Sequence, residues 1–231
     1  MQRWKSCIGL ILSLLLLAGG IWGLHLLRRP GTLPITSVKV YSDYQHIDPA
    51  LLQQGILPFV NRGFFNVNVD RLKDGLQQLP WVYQVAVKRI WPDQVIIKII
   101  PKEAVARWGQ NTLLSAQGVV FNPDPKTFPN NLVQLNGPSD QVQLVWQEYL
   151  QMGAMLKPLG LTITELDLSQ RHAWRLVLNN GMKILLGHED VINRFQRFIA
   201  VYPQIINNRE PITVVDLRYP NGLAVSFVGS K

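Results

Sequence analysis

The sequence predicts an α+β protein: a single N-terminal transmembrane helix, then a strand–helix–helix–strand–strand unit, then a β-rich unit with two packed helices. Three observations predict it. The run Ile8 to Leu27 is twenty residues long and carries no charge; at about 1.5 Å per residue this is roughly 30 Å of helix, the thickness of a bilayer core. Beyond it, short apolar stretches bounded by Pro, Gly and Asn read as strands. Between them lie stretches whose apolar residues recur at helical spacing.

Basic residues flank the apolar run, Arg3 and Lys5 before it and Arg28 and Arg29 after it. A cleaved signal peptide would have a shorter apolar region and a small-x-small cleavage site, and the exit His25-Leu26-Leu27-Arg28-Arg29-Pro30 offers none. The run therefore reads as an uncleaved anchor, with His25 a tolerated interfacial residue. The expected division is a segment 1–7, a membrane helix 8–27 and a linker 28–34 broken by Pro30, Gly31 and Pro34. Arg3, Lys5 and the α-amine nearly balance Arg28, Arg29 and Lys39, so charge sets no orientation. The formal charge of +8 also fails to indicate nucleic acid: four of the basic residues flank the anchor and the rest form no basic stripe. The one cysteine, Cys7, stands at the start of the anchor and reads as a buried free thiol. The soluble part can form neither a disulfide nor a cysteine metal site.

The first soluble unit is expected over 35–101. Ser37-Val38-Lys39-Val40-Tyr41 alternates like a half-buried strand. Asp48 is placed to cap a helix with Pro49 at its first position and Leu51, Leu52 and Ile56 within it. A second helix from Asn68 or Asp70 carries Leu72, Leu76 and Leu79 on one stripe and ends at Pro80. Phe64 and Phe65, just before it, read as core. Trp81 to Ile90 is a long strand, Trp91-Pro92-Asp93-Gln94 a turn, and Val95 to Ile100 the return strand. Such a unit is a three-stranded sheet covered by two helices.

The second unit is expected over 102–231. Leu113 to Phe121 reads as a hairpin, and Leu132 to Leu135 as a short strand ended by Asn136-Gly137-Pro138. Ser139 or Asp140 is expected to cap a helix whose Val142, Val145, Trp146, Tyr149, Met152 and Leu156 share a core face. Leu161 to Leu168, Trp174 to Leu178 and Met182 to Leu186 are strands, the last two turning through Asn179-Asn180-Gly181. Glu189 and Asp190 open a further helix with Val191, Phe195, Phe198, Ile199, Tyr202 and Ile205. Ile212 to Tyr219 and Leu223 to Val228 form the last hairpin, expected to turn through Asn221-Gly222. In that last strand Leu223, Val225 and Phe227 share one face and Ala224, Ser226 and Val228 the other; the alternation does not say which packs inward. The strand closes the sheet, or it offers its open edge to a strand from another protein; the residues alone leave both readings standing.

No catalytic constellation accompanies these elements: no Gly-x-Ser-x-Gly, Ser-x-x-Lys, His-Glu-x-x-His or phosphate-cradling glycine loop. His25, His46, His172 and His188 have no ligand spacing, and His188-Glu189-Asp190 is better read as a helix start than as a metal or acid–base cluster. Neither an enzyme, nor a cofactor, nor a metal is expected.

Four motifs in order add a resemblance. Phe64-Phe65-Asn66-Val67-Asn68-Val69-Asp70-Arg71-Leu72, then Leu79-Pro80-Trp81-Val82, then Val87-Lys88-Arg89-Ile90-Trp91-Pro92-Asp93, then Ala104-Val105-Ala106-Arg107-Trp108-Gly109 resemble the FtsQ/DivIB family of bacterial cell-division proteins, its proteobacterial FtsQ branch above all. Val215 to Val225 resembles the family's terminal strand pair, and the first soluble unit resembles a POTRA domain. The resemblance implies a POTRA domain and a β domain in the periplasm, a short cytoplasmic start and an inner-membrane anchor at the division septum. It implies a scaffold that links early and late division proteins and takes the FtsB–FtsL pair by strand addition at its C-terminal edge, with FtsK, FtsW and FtsI among further candidate partners. Carried across by motif, the contact positions are Arg171, Arg218, Tyr219, Asn221, Ser226 and Phe227. Asn221 and Ser226 stand where relatives commonly have Ser and Gly, and Phe227 replaces a tryptophan while keeping its aromatic character. Arg171 lies where the family pairs an arginine with an acidic partner residue; a solvated surface arginine is the other reading. A periplasmic chaperone of the POTRA type is the alternative function, though neither a β-barrel nor tandem repeats accompany the unit.

Overall fold

A computed structural model describes residues 13–23, 34–43, 46–61, 63–206 and 211–227. The described part of the apolar run, 13–23, is helical (α1). No helix among the described residues is long and apolar enough to cross a membrane. The rest of the expected anchor lies outside them, with Cys7, His25, Arg28 and Arg29. The chain divides into two compact units, Met1–Lys102 and Glu103–Lys231.

The first unit runs β1 (Ser37–Tyr41), α2 (Pro49–Val60), α3 (Val69–Gln77), β2 (Val82–Ile90), β3 (Gln94–Pro101), the expected strand–helix–helix–strand–strand order. The sheet order is β1-β3-β2, with β1 parallel to β3 and β2 antiparallel to it. Both helices start where a side chain takes an orphan N–H: the Asp48 carboxylate accepts from the Ala50 N–H at 2.8 Å, and the Asn68 amide oxygen from the Arg71 N–H at 2.9 Å. Asn68, not Asp70, is thus the second cap. Leu52, Ile56, Leu72 and Leu76 are buried with Val85, Val95, Ile97 and Ile99 of the sheet. Leu79 falls beyond the end of α3 and is half-buried. Phe64 is buried as expected but Phe65 is 44% exposed; the two adjacent rings stand edge to face, 5.5 Å apart, so only one enters the core. Asn68→Ala is expected to cost about 1 kcal/mol of this unit's stability, read as a lower denaturant midpoint at constant slope.

Among the described residues of the second unit nine strands form one sheet: β4 (Ala104–Trp108), β5 (Thr112–Ser115), β6 (Val120–Phe121), β7 (Val133–Asn136), β8 (Ile163–Leu168), β9 (Trp174–Leu178), β10 (Lys183–Gly187), β11 (Ile212–Asp216) and β12 (Ala224–Phe227). Their order is β12-β11-β10-β9-β8-β7-β4-β5-β6. Two helices, α4 (Val142–Leu156) and α5 (Val191–Ile205), supply the crossovers that let β7 run parallel to β8 and β10 parallel to β11. Their apolar faces share one core with the sheet: Val145, Met152 and Leu156 from α4, and Phe195, Phe198 and Tyr202 from α5, with Trp146 and Tyr149 packed at its margin. The first turn of α4 follows Gln141 and has no side-chain cap, so neither Ser139 nor Asp140 plays the expected role. The β9–β10 turn is the expected Asn-Gly one, Gly181 taking φ 82° while its N–H returns to the Leu178 carbonyl.

Candidate partner-binding site at the terminal sheet edge

β12 stands at one end of the sheet order and pairs with β11 on its inner side. Leu223, Val225 and Phe227 are half-buried whereas Ala224 and Ser226 are exposed, so the larger apolar set packs inward. That face is the physically favoured one, because it continues the core that Leu223 packs against. Val228 lies outside the described residues.

The connection into β12 differs from the tight turn expected at Asn221-Gly222. β11 ends at Asp216 and β12 begins at Ala224, leaving the loop 217–223 between them. The causes are local. Leu217 is buried and gives its N–H to the Leu185 carbonyl of β10 at 2.8 Å. The Arg218 N–H turns back to Asp216 Oδ1 at 3.0 Å, and Pro220 has no N–H to continue a ladder. The loop is then tied to α5. One nitrogen of Arg197, Nη1, donates to the Tyr219 carbonyl at 3.0 Å and to the Gly222 carbonyl at 2.9 Å. Arg197 thereby holds both shoulders of the turn while Tyr219 stays 54% exposed and Asn221 is exposed. Nothing in the sequence singled out Arg197; its only signal was a cation on the helix that precedes the hairpin.

Comparison with known proteins places this edge in a context. A family model described as "Cell division protein FtsQ/DivIB, C-terminal" matches residues 106–218, and one described as "POTRA domain, FtsQ-type" matches residues 33–100. The cell division protein FtsQ of Coxiella burnetii is 38% identical over 96% of this chain and 92% of its own length. The chain belongs to the FtsQ/DivIB family of cell-division proteins. The FtsQ of Xanthomonas campestris is 35% identical over 83% of this chain and 69% of its own, and that of Shewanella oneidensis 33% over 97% and 87%. Tyr219, Asn221, Ser226 and Phe227 lie just past the C-terminal match.

The six positions suggested by the FtsQ resemblance are brought together only in part. Arg218, Tyr219 and Asn221 share the loop and Ser226 and Phe227 the edge strand. Arg171 is exposed on the β8–β9 turn, where Ser169 Oγ accepts from the Ala173 N–H at 3.0 Å. With three strand spacings from β9 to β12, that turn is on the order of 14 Å from the edge. Between them lies a concavity of about 410 Å³ lined by Asp167, Trp174, Arg175, Leu185, Gly187 and Arg218. It is polar at its rim: Arg175 pairs with Asp167 at 2.5 Å and Glu165 at 3.3 Å across β8 and β9. Glycine suits position 187, since its φ is 77° and a Cβ would lie 3.0 Å from Arg194 Nη1 and 3.3 Å from Arg218 Cγ, so another side chain would be strained there.

Arg218 does not point free into solvent. Its guanidinium closes on its own neighbour, Nε at 2.9 Å from Asp216 Oδ1 and Nη2 at 2.6 Å from Oδ2. Those hydrogen bonds hold the Asp216 carboxyl below its ordinary value of 3.8, against the opposing effect of partial burial. A carboxylate lowered on folding contributes stability above its unfolded pKa and loses it as pH falls through the folded one. Arg218→Ala is therefore expected to raise the Asp216 pKa, seen by NMR titration of its carboxyl carbon, and to remove its share of the acid-side loss of stability. An unmoved titration would show that the pair does not form.

His188, Glu189 and Asp190 do open α5, although Asp190, at φ 50°, accepts from the Asn193 side-chain amide at 2.5 Å rather than capping the backbone. The His188 imidazole lies 3.6 Å from Glu189, which also meets Arg194 at 3.6 Å. Among the described residues no group of three or more His, Cys, Asp or Glu side chains is placed to hold a metal ion.

Proposed function

We propose that this chain is a non-enzymatic scaffold of the division machinery, anchored in the inner membrane by residues 8–27, with a POTRA domain over 35–101 and a β domain over 102–231 on the periplasmic side at the septum. Its central act is to take the FtsB–FtsL pair by strand addition at β12 and so to link early and late division proteins; FtsK, FtsW and FtsI are further candidate partners. The observation that carries the reading is the end of the nine-strand order at β12 beside an exposed Tyr219. A strand at a sheet end offers backbone donors and acceptors to an incoming chain, and neighbouring side chains choose which chain is accepted. Tyr219 is suited to anchoring because it brings large contact area with few rotatable bonds. Arg171, exposed on the β8–β9 turn, gives the site a guanidinium group for an acidic partner residue, while Arg218 would have to give up Asp216 to do the same.

The test is amide hydrogen exchange on the full chain in bilayer discs, with and without the FtsB–FtsL ectodomain pair. Strand addition slows exchange along 224–227 on binding. Binding that leaves those amides unprotected would place the partner elsewhere.

A further inference from the structure

The first unit carries a surface that partner binding at β12 does not use. Because β1 is parallel to β3, the start of β1 lies beside the start of β3: Ser37 is paired with Gln94. The Thr36 N–H donates to the Asp93 carbonyl at 3.1 Å, and the Thr36 hydroxyl to the Asp93 carboxylate. The chain therefore enters this unit at the tip of the β2–β3 hairpin. At that tip Trp91 is 73% exposed and Pro92 is exposed beside it. Lys88 and Arg89 lead up to it, both exposed, and the Arg89 guanidinium lies 5.9 Å from the Phe64 ring. Arg89 also shares a surface hollow with the half-exposed Phe65 and with Asp70. An exposed indole thus stands where the chain arrives, with Arg89 and the Phe65 ring on one face of the hairpin and Lys88 on the other, and with Asp93 already engaged by Thr36.

We infer that this hairpin tip docks on the surface of the bilayer, Trp91 at the headgroup level and Lys88 and Arg89 against lipid phosphates. The inference rests on reading 8–27 as a membrane anchor. Nine residues separate Leu27 from Ser37, and fully extended the ten steps between them reach at most about 36 Å. The end of the unit at which they attach therefore always stays within reach of the membrane. Indole rings favour the membrane–water interface, where the apolar body is buried and the N–H stays wet, and cations nearby gain from anionic headgroups. A tip beside the tether is the part of the unit best placed to meet a bilayer.

The experiment uses the full chain in vesicles of phosphatidylethanolamine and phosphatidylglycerol, with and without bromine on the acyl chains. In a Trp4→Phe/Trp22→Phe background, Trp91 is the strongly exposed indole among the described residues, since Trp81, Trp108 and Trp174 are buried and Trp146 half-buried. Brominated lipid is expected to lower the emission of this protein, and Trp91→Phe to abolish that loss. Equal emission in both lipids overturns the docking. A Trp4→Phe/Trp91→Phe protein reports the anchor through Trp22: quenched Trp22 beside unquenched Trp91 overturns the docking alone, whereas unquenched Trp22 overturns the anchor and the docking with it.

Discussion

Tyr219→Ala is expected to weaken binding of the FtsB–FtsL ectodomain pair by about 2 kcal/mol, roughly thirtyfold in Kd, without changing the stability of the chain. Tyr219 is 54% exposed and the loop around it is held through its backbone, by Arg197 on the Tyr219 and Gly222 carbonyls. Truncation therefore removes contact area but no element of the fold. Phe227→Ala acts on both counts, because Phe227 is half-buried on the inward face of β12. Its binding loss should come with a measurable drop in stability, and the two are separated by titrating the partner well below the unfolding transition. Isothermal titration with the solubilised full chain decides it. Retained affinity in Tyr219→Ala, with the chain folded, would move the site away from the terminal edge.

Most of the fold is legible in the residues because its elements obey short-range rules. Ser37 to Tyr41 alternates and forms β1, Asn68 caps α3, and Gly181 accepts the positive φ of its hairpin. Failures occur where a longer-range partner outbids the local signal. Asn221-Gly222 has the chemistry of a tight turn, yet β11 stops at Asp216 because Leu217 is drawn into the core and onto β10. Phe65 is as apolar as Phe64, but the two rings stand edge to face and only Phe64 is buried. β4 passes unread as a strand, though it lies between β7 and β5 in the sheet, since its pairing is set by residues far along the chain. The site is less legible than the fold for the same reason. Arg197 and Gly187 matter through contacts with Tyr219, Gly222 and Arg218 that no local pattern encodes.

Phe198→Ala is expected to destabilise the second unit by about 3–5 kcal/mol, the cost of deleting a fully buried ring and leaving a cavity that its surroundings close only in part. Phe198 is buried completely, 5.9 Å from Phe195 and 5.4 Å from Tyr202, on the helix that carries the chain from β10 to β11. Urea unfolding of the solubilised chain, followed by circular dichroism, should show the second-unit transition at a lower midpoint with an unchanged slope. Arg197→Ala, one residue away, gives the contrast. Its side chain reaches outward to the loop, so it loses about 1 kcal/mol of stability or less, while the two carbonyls it held are released to water. Binding at the edge should nevertheless fall, because the Tyr219 loop must be ordered again in the complex. If Arg197→Ala bound as tightly as the parent chain, the loop would not need pinning, and α5 would serve the site only by holding the sheet together. If instead it bound weakly and stayed folded, α5 would have two separable duties on two faces, packing through Phe198 and presentation through Arg197.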